Sequence, residues 1–158
     1  MENKEVYLTK EGLKKIKKEY KSLKKYKISK FNGEIPKILH SEEVDPEYLS
    51  LREDLSLIEK RLQFLEYILK KVKIIKPPPR KKRDLVGLGA RVTVESKGNI
   101  NRFEIVGPVE ANPILGKISN ESPIGKALIG KKVGDVVKIS SPIKEVYIIK
   151  KIEYSQPL

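Results

Sequence analysis

The sequence predicts an α+β protein in which an N-terminal antiparallel coiled-coil hairpin precedes a small antiparallel β domain carrying one short helix. Three observations lead there. Leu51, Leu55, Ile58, Leu62, Leu65, Leu69 and Val72 recur in alternating steps of four and three, the spacing of a heptad seam. Three consecutive prolines, Pro77–Pro79, then end the helical pattern. Beyond them the chain turns to β-branched residues in period-two alternation, punctuated by glycine.

Taken in order, Glu5–Leu8 is a short lead and Thr9 a helix N-cap, with Glu11 in the first turn where an acid suits the helix dipole. Leu8 and Leu13 flank that cap at the positions of a hydrophobic staple. Leu13, Ile16, Tyr20 and Leu23 form one apolar stripe, and lysines fill the other faces. The periodicity fades near Ile28, and Gly33 and Pro36 predict a bent or irregular approach to the tip rather than an unbroken helix. Asp45-Pro46 restarts the helix, Asp as N-cap and Pro at the first helical position. The second helix is expected from Pro46 to about Lys73. Its only nearby partner is the first helix, folded back against it. The domains are therefore set at 1–76 for the hairpin, 77–83 for a proline and basic linker, and 84–158 for the β domain.

In the second half, strands are expected at Ala90–Glu95, Arg102–Val106, Gly116–Ser119, Asp135–Ser140 and Glu145–Tyr154, with a turn at Lys97-Gly98-Asn99. Ser122-Pro123 opens a short helix through Leu128 that stops at Gly130, with proline at its start and glycine past its end.

The chain has 158 residues, 34 basic and 21 acidic, a net charge of +13 that favours polyanionic partners or proteins that work on them. It has no cysteine, which excludes disulfides and thiolate metal sites. No apolar run approaches the roughly 18 residues of a membrane span, and the N-terminus lacks a signal-peptide core, so a cytoplasmic location without membrane contact is expected. No His-Asp-Ser set, phosphate-cradling glycine loop or paired-histidine zinc motif is present, and His40 is the only histidine. An enzyme acting alone is not supported.

Against this basic background, Leu39–Glu47 stands out, with Glu42, Glu43, Asp45 and Glu47 and no lysine or arginine. Two readings stay open. Asp45 and Glu47 cap the second helix while Glu42 and Glu43 are solvated, or several of these carboxylates converge on a hard divalent cation such as Mg²⁺. A tip of this kind needs further ligands from a partner to hold the ion. The run Arg80-Lys81-Lys82-Arg83 after the prolines is likewise either a solvated linker or a contact for nucleic acid.

The motif Ser122-Pro123-Ile124-Gly125-Lys126-Ala127-Leu128-Ile129-Gly130-Lys131-Lys132-Val133-Gly134-Asp135 closely resembles that of the bacterial transcript cleavage factors GreA and GreB. Leu8-Thr9-Lys10-Glu11-Gly12-Leu13, Glu47-Tyr48 followed by Arg52-Glu53, and Ile105-Val106-Gly107 add to the match, which spans nearly the whole chain. The resemblance implies a C-terminal domain of FK506-binding-protein-like (FKBP-like) fold that docks on RNA polymerase, with Ser122, Pro123, Ile124, Gly125, Gly134 and Asp135 as the partner-binding residues. It implies a hairpin that enters the polymerase's secondary channel. There Glu42, Glu43 and Asp45 would assist the cutting of backtracked RNA, with Glu42 and Glu43 facing a Mg²⁺ shared with the polymerase and no cofactor held by the factor alone. The nascent RNA 3′ end is the implied nucleic-acid partner, with DNA as a further candidate, and the factor is expected to be a monomer.

The family's usual tip reads Gly-Asp-Leu-x-Glu-Asn-x-Glu-Tyr. Anchored on Glu47-Tyr48, its two metal-facing acids fall on Ser41 and Val44, neither of which is a carboxylate. That departure keeps alive a channel-binding regulator or inhibitor without cleavage activity. A prolyl isomerase or chaperone is the alternative of another class, and only Phe103, Tyr147 and Tyr154 are available there to line a proline pocket.

Overall fold

The computed structural model describes residues 5–38, 46–140 and 144–155. The chain divides into two compact units, Leu13–Val72 and a second made of Met1–Gly12 with Lys73–Leu158.

The first unit is the helical hairpin, built from α1 (Lys10–Ile38) and α2 (Pro46–Lys71). Polar bonds between the two helices fix their direction. The Tyr20 hydroxyl donates to Glu66 at 2.7 Å, Arg61 Nε donates to Glu19 at 2.7 Å, and Lys27 pairs with Glu59 at 2.6 Å. Moving outward along α1 from Glu19 to Lys27, the partners do not advance along α2 but end at Glu59, nearer its start. The helices are antiparallel. Leu51, Leu65 and Ile68 are buried on α2, while Leu55, Ile58, Leu62 and Leu69 are half-buried, because two helices alone cannot enclose a whole seam.

One expectation is corrected here. α1 runs to Ile38 without a break, through Gly33 and Pro36. Glycine and proline cost a helix interior about 1 and about 3 kcal/mol relative to alanine. Pro36 lies within the last turn, where few bonds remain to be lost, and the cross-helix partners of Glu19, Tyr20 and Lys27 hold the preceding turns in register.

The second unit holds two sheets. β1 (Val6–Leu8) pairs with β2 (Val72–Ile74), and the Ile75 N–H extends the ladder to the Leu8 carbonyl at 2.8 Å. The larger sheet contains β3 (Ala90–Ser96), β4 (Asn99–Val106), β5 (Lys117–Ser119), β6 (Val136–Ile139) and β7 (Glu145–Tyr154), in the order β5-β4-β3-β7-β6. All neighbours are antiparallel except β4 and β5, which run parallel, a departure from the purely antiparallel sheet expected. The chain gains room for that crossover in two short 3-10 turns, Pro108–Glu110 and Pro113–Leu115, and reverses at Gly116 with φ +72°.

Lys97 and Gly98 both have positive φ, 50° and 79°, between the paired residues Ser96 and Asn99. This is the two-residue turn whose twist matches that of the flanking strands. Alternation then sorts the side chains. Ala90, Val92 and Val94 face a core with Ile105, Ile118, Val137 and Ile149, and α3 (Pro123–Leu128) closes it with Leu128. Opposite Thr93 and Val94 the register slips by one, leaving Lys150 as the extra residue of a bulge.

Candidate functional site

The tip residues Glu42, Glu43 and Asp45, with His40, Ser41 and Val44, lie outside the described residues. Among the described residues, no three acidic or histidine side chains gather as a metal site would require.

The second group of expected site residues is fully described, and the structure brings it to one corner of the β domain. Ser122 is the N-cap of α3. Its Oγ accepts the Gly125 N–H at 3.1 Å and donates to the Ser119 carbonyl at 2.7 Å, tying the helix start to the end of β5. Pro123 follows at the first helical position, where a missing N–H costs nothing. Gly125 is there for clearance, since a Cβ would stand 2.0 Å from the Ser119 carbonyl oxygen. Ile124 is half-buried against the core.

After α3 the chain turns twice on glycine, at Gly130 with φ +78° and Gly134 with φ +92°. The Asp135 carboxylate accepts the Lys132 N–H at 2.8 Å and closes the second turn. Backbone bonds between Gly134, Asp135 and Ile149 then lock the turn to β7 at 2.8 and 3.0 Å. Ser122, Gly125, Gly134 and Asp135 thus set local backbone shape. The parts of the motif left facing solvent are Pro123, Lys126, Ile129, Lys131, Lys132 and Val133, with Val133 56% exposed. A docking surface here would be formed by that rim, held in place by the capped and turned residues beneath. Of the expected partner-binding residues Pro123 belongs to that rim and Gly134 is exposed beside it, while Lys126, Ile129, Lys131, Lys132 and Val133 were not among those expected.

A buried anchor was also missed. Thr9 caps α1 by accepting the Gly12 N–H at 3.0 Å, and its own N–H and hydroxyl donate to the Glu110 carboxylate at 2.5 and 2.6 Å. The Glu110 side chain is 7% exposed, with Lys117 Nζ 3.7 Å away. Gly12 permits the approach, because a Cβ would stand 2.2 Å from the carboxylate carbon. No sequence signal links positions so far apart.

The three aromatics available for a proline pocket are committed elsewhere. Phe103 and Tyr147 meet edge to face at 5.8 Å beside the core, and the Tyr154 hydroxyl donates to the Leu85 carbonyl at 2.6 Å. No described helix is long and apolar enough to cross a membrane.

Comparison with known proteins gives matches in both halves. Residues 6–74 match the family described as transcription elongation factor, N-terminal, and residues 80–154 the one described as transcription elongation factor, GreA/GreB, C-term. A transcription elongation factor GreA of Thermoanaerobacter pseudethanolicus is 41% identical over 144 residues, covering 89% of this chain and 91% of its own. A GreA of Thermomicrobium roseum is 35% identical over 144 residues, covering 90% and 92%. A crystal structure of GreA factor homolog 1 (Gfh1) of Thermus thermophilus aligns with 95% of this chain and 99% of its own at 28% identity and a TM-score of 0.42.

Proposed function

Because the chain belongs to the GreA/GreB family of transcription elongation factors, we propose that it binds RNA polymerase, inserts its hairpin into the secondary channel and stimulates cleavage of backtracked RNA. The observation that carries this reading is the antiparallel hairpin of α1 and α2. At 1.5 Å per residue α2 alone spans about 39 Å, a reach suited to a deep channel. In this reading the factor is no nuclease by itself and works in the cytoplasm, where the polymerase is.

The proposed division of labour follows from the donor chemistry. Glu42 and Glu43 offer only oxygen ligands, which suit a Mg²⁺ held jointly with the polymerase, and that ion supplies charge stabilisation for phosphodiester hydrolysis. The rest falls to the chain's own residues. The α1–α2 hairpin carries the acids, Asp45 is a third candidate among them, and the corner from Ser122 to Asp135 docks on the polymerase.

A second reading has its own observation. Ser41 and Val44 stand where the family pattern carries acids, which favours a factor that occupies the channel and restrains transcription without cleavage. Stalled, backtracked elongation complexes with labelled RNA, Mg²⁺ and this protein decide between the two. Cleavage above the polymerase's own rate, lost in Glu42→Ala/Glu43→Ala, supports the first. Binding without added cleavage removes it and leaves the second. Absence of binding removes both.

A further inference from the structure

Beside the stripe that packs on α2, α1 carries a second one at heptad spacing. Lys17, Lys21, Lys24, Ile28 and Phe31 follow one another in alternating steps of four and three, and the sequence continues that spacing through Ile35 and Ile38. Ile28 is 54% and Phe31 56% exposed, so among the described residues nothing closes over the apolar part of this stripe. With Tyr20 and Lys27 of α1 and Leu62 and Gln63 of α2, these two side chains line an open groove between the helices. Some of its polar groups are already committed, because Lys27 pairs with Glu59 and the Tyr20 hydroxyl is held by Glu66. What remains open is apolar, namely Ile28, Phe31 and the half-buried Leu62.

Toward the start of α1 the same stripe turns basic. Lys17 and Lys21 are exposed and make no ion pair among the described residues, while Lys24 lies over the Tyr20 ring at 5.9 Å. Between Leu13 and Asn32 nine lysines stand against a single acid, Glu19, which Arg61 already holds.

We propose that this groove docks an acidic amphipathic helix of a partner protein and so completes a three-helix bundle. Apolar residues of that helix cover Ile28, Phe31 and Leu62, and its carboxylates meet Lys17, Lys21 and Lys24. From Lys17 to Phe31 the stripe is about 21 Å long at 1.5 Å per residue, the length of about four helical turns. Charge selects the occupant, since a basic helix would be repelled by the three lysines and a neutral one would leave them unmatched. A second copy is disfavoured, because its own stripe offers lysines and apolar residues but no carboxylate. None of this rests on polymerase binding.

Fluorescence anisotropy of the full chain with a labelled designed peptide tests it. The peptide has about 21 residues, long enough for a helix, with leucine on one face, glutamate beside it and alanine and glutamine elsewhere. Its control carries lysine for every glutamate. The glutamate peptide should bind with an affinity that falls as salt rises, and the lysine peptide should not bind. Ile28→Ser/Phe31→Ser should lower the affinity about tenfold or more. Lys17→Gln/Lys21→Gln/Lys24→Gln should lower it at low salt and remove most of the salt dependence. All five positions are exposed, so the α1–α2 seam stays intact, which circular dichroism of the variants checks. A glutamate peptide that does not bind overturns the proposal, as does equal binding by the lysine peptide. Variants that bind the glutamate peptide as tightly as wild type overturn it too. Self-association in sedimentation that Ile28→Ser/Phe31→Ser abolishes overturns it in favour of a second copy, and oligouridylate binding abolished by the same change overturns it in favour of RNA. No polymerase is present in these assays, so failure there leaves the elongation-factor reading untouched.

Discussion

Tyr147 shows how a single side chain in the β domain reports on folding. It is buried, meets Phe103 edge to face, and donates its hydroxyl to Glu145. Burial first, and the Glu145 carboxylate second, push its hydroxyl from the usual 10 up to about 12. The folded state therefore holds a proton that the unfolded chain gives up at lower pH. That stabilisation is complete below pH 10 and is lost as pH rises toward 12. Ultraviolet titration of the tyrosinate band, compared with that of Tyr147→Phe, should show Tyr147 titrating late, with thermal stability falling across the same interval. Glu145→Gln should lower the midpoint only in part, since burial is the larger cause. A midpoint returning to the value of free tyrosine would refute that order of causes. At this scale the sequence was legible wherever one residue type does one local job: Ser122 as cap, Pro123 at the helix start, Lys97-Gly98 in a hairpin turn. The Tyr147 environment was not legible, because neighbours on separate strands make it.

Among elements, α2 separates what the heptad pattern tells from what it leaves out. The spacing located the seam and its partner helix. It did not identify Ile68, which lies off the seam yet is as fully buried as Leu65, nor did it show Leu55 and Leu62 as half-open. A repeat gives the facing direction of each residue, whereas depth depends on how many layers close over it. The consequence is a graded cost. Leu65→Ala should destabilise the chain by about 2 to 5 kcal/mol, the usual range for a fully buried leucine. Leu55→Ala should cost less than half as much, and unfolding followed by circular dichroism at 222 nm compares them. Equal losses would mean that the seam is uniformly packed. The unbroken α1 is a second lesson at this scale. Gly33 and Pro36 argue locally against helix, and cross-helix partners on the preceding turns outweigh them. β5 is a third, since three residues leave parallel and antiparallel pairing undecided in sequence.

For the whole molecule, the decisive residues are Thr9, Gly12 and Glu110. Their contact places the first twelve residues in the same compact unit as everything after Val72. Glu110→Gln puts an amide where Thr9 needs two acceptor oxygens. It should cost about 1 to 3 kcal/mol in urea unfolding of the full chain, the range for a buried hydrogen-bonding group left without a partner. A variant as stable as wild type would show that the anchor contributes nothing. β1 and β2, which lie beside it, escaped sequence reasoning because three-residue strands carry no periodicity and pair across the entire hairpin.

That arrangement also orders the assembly of the chain. The globular unit is discontinuous, and joining its two pieces means closing a loop from Leu13 to Val72. For a flexible loop the entropic cost grows with the logarithm of its length. The hairpin removes most of that cost, because α1 and α2 zipping together bring Gly12 and Lys73 within reach of one another before β1 meets β2. On this loop-closure argument the β1–β2 ladder and the Thr9–Glu110 bonds are expected to close after the hairpin.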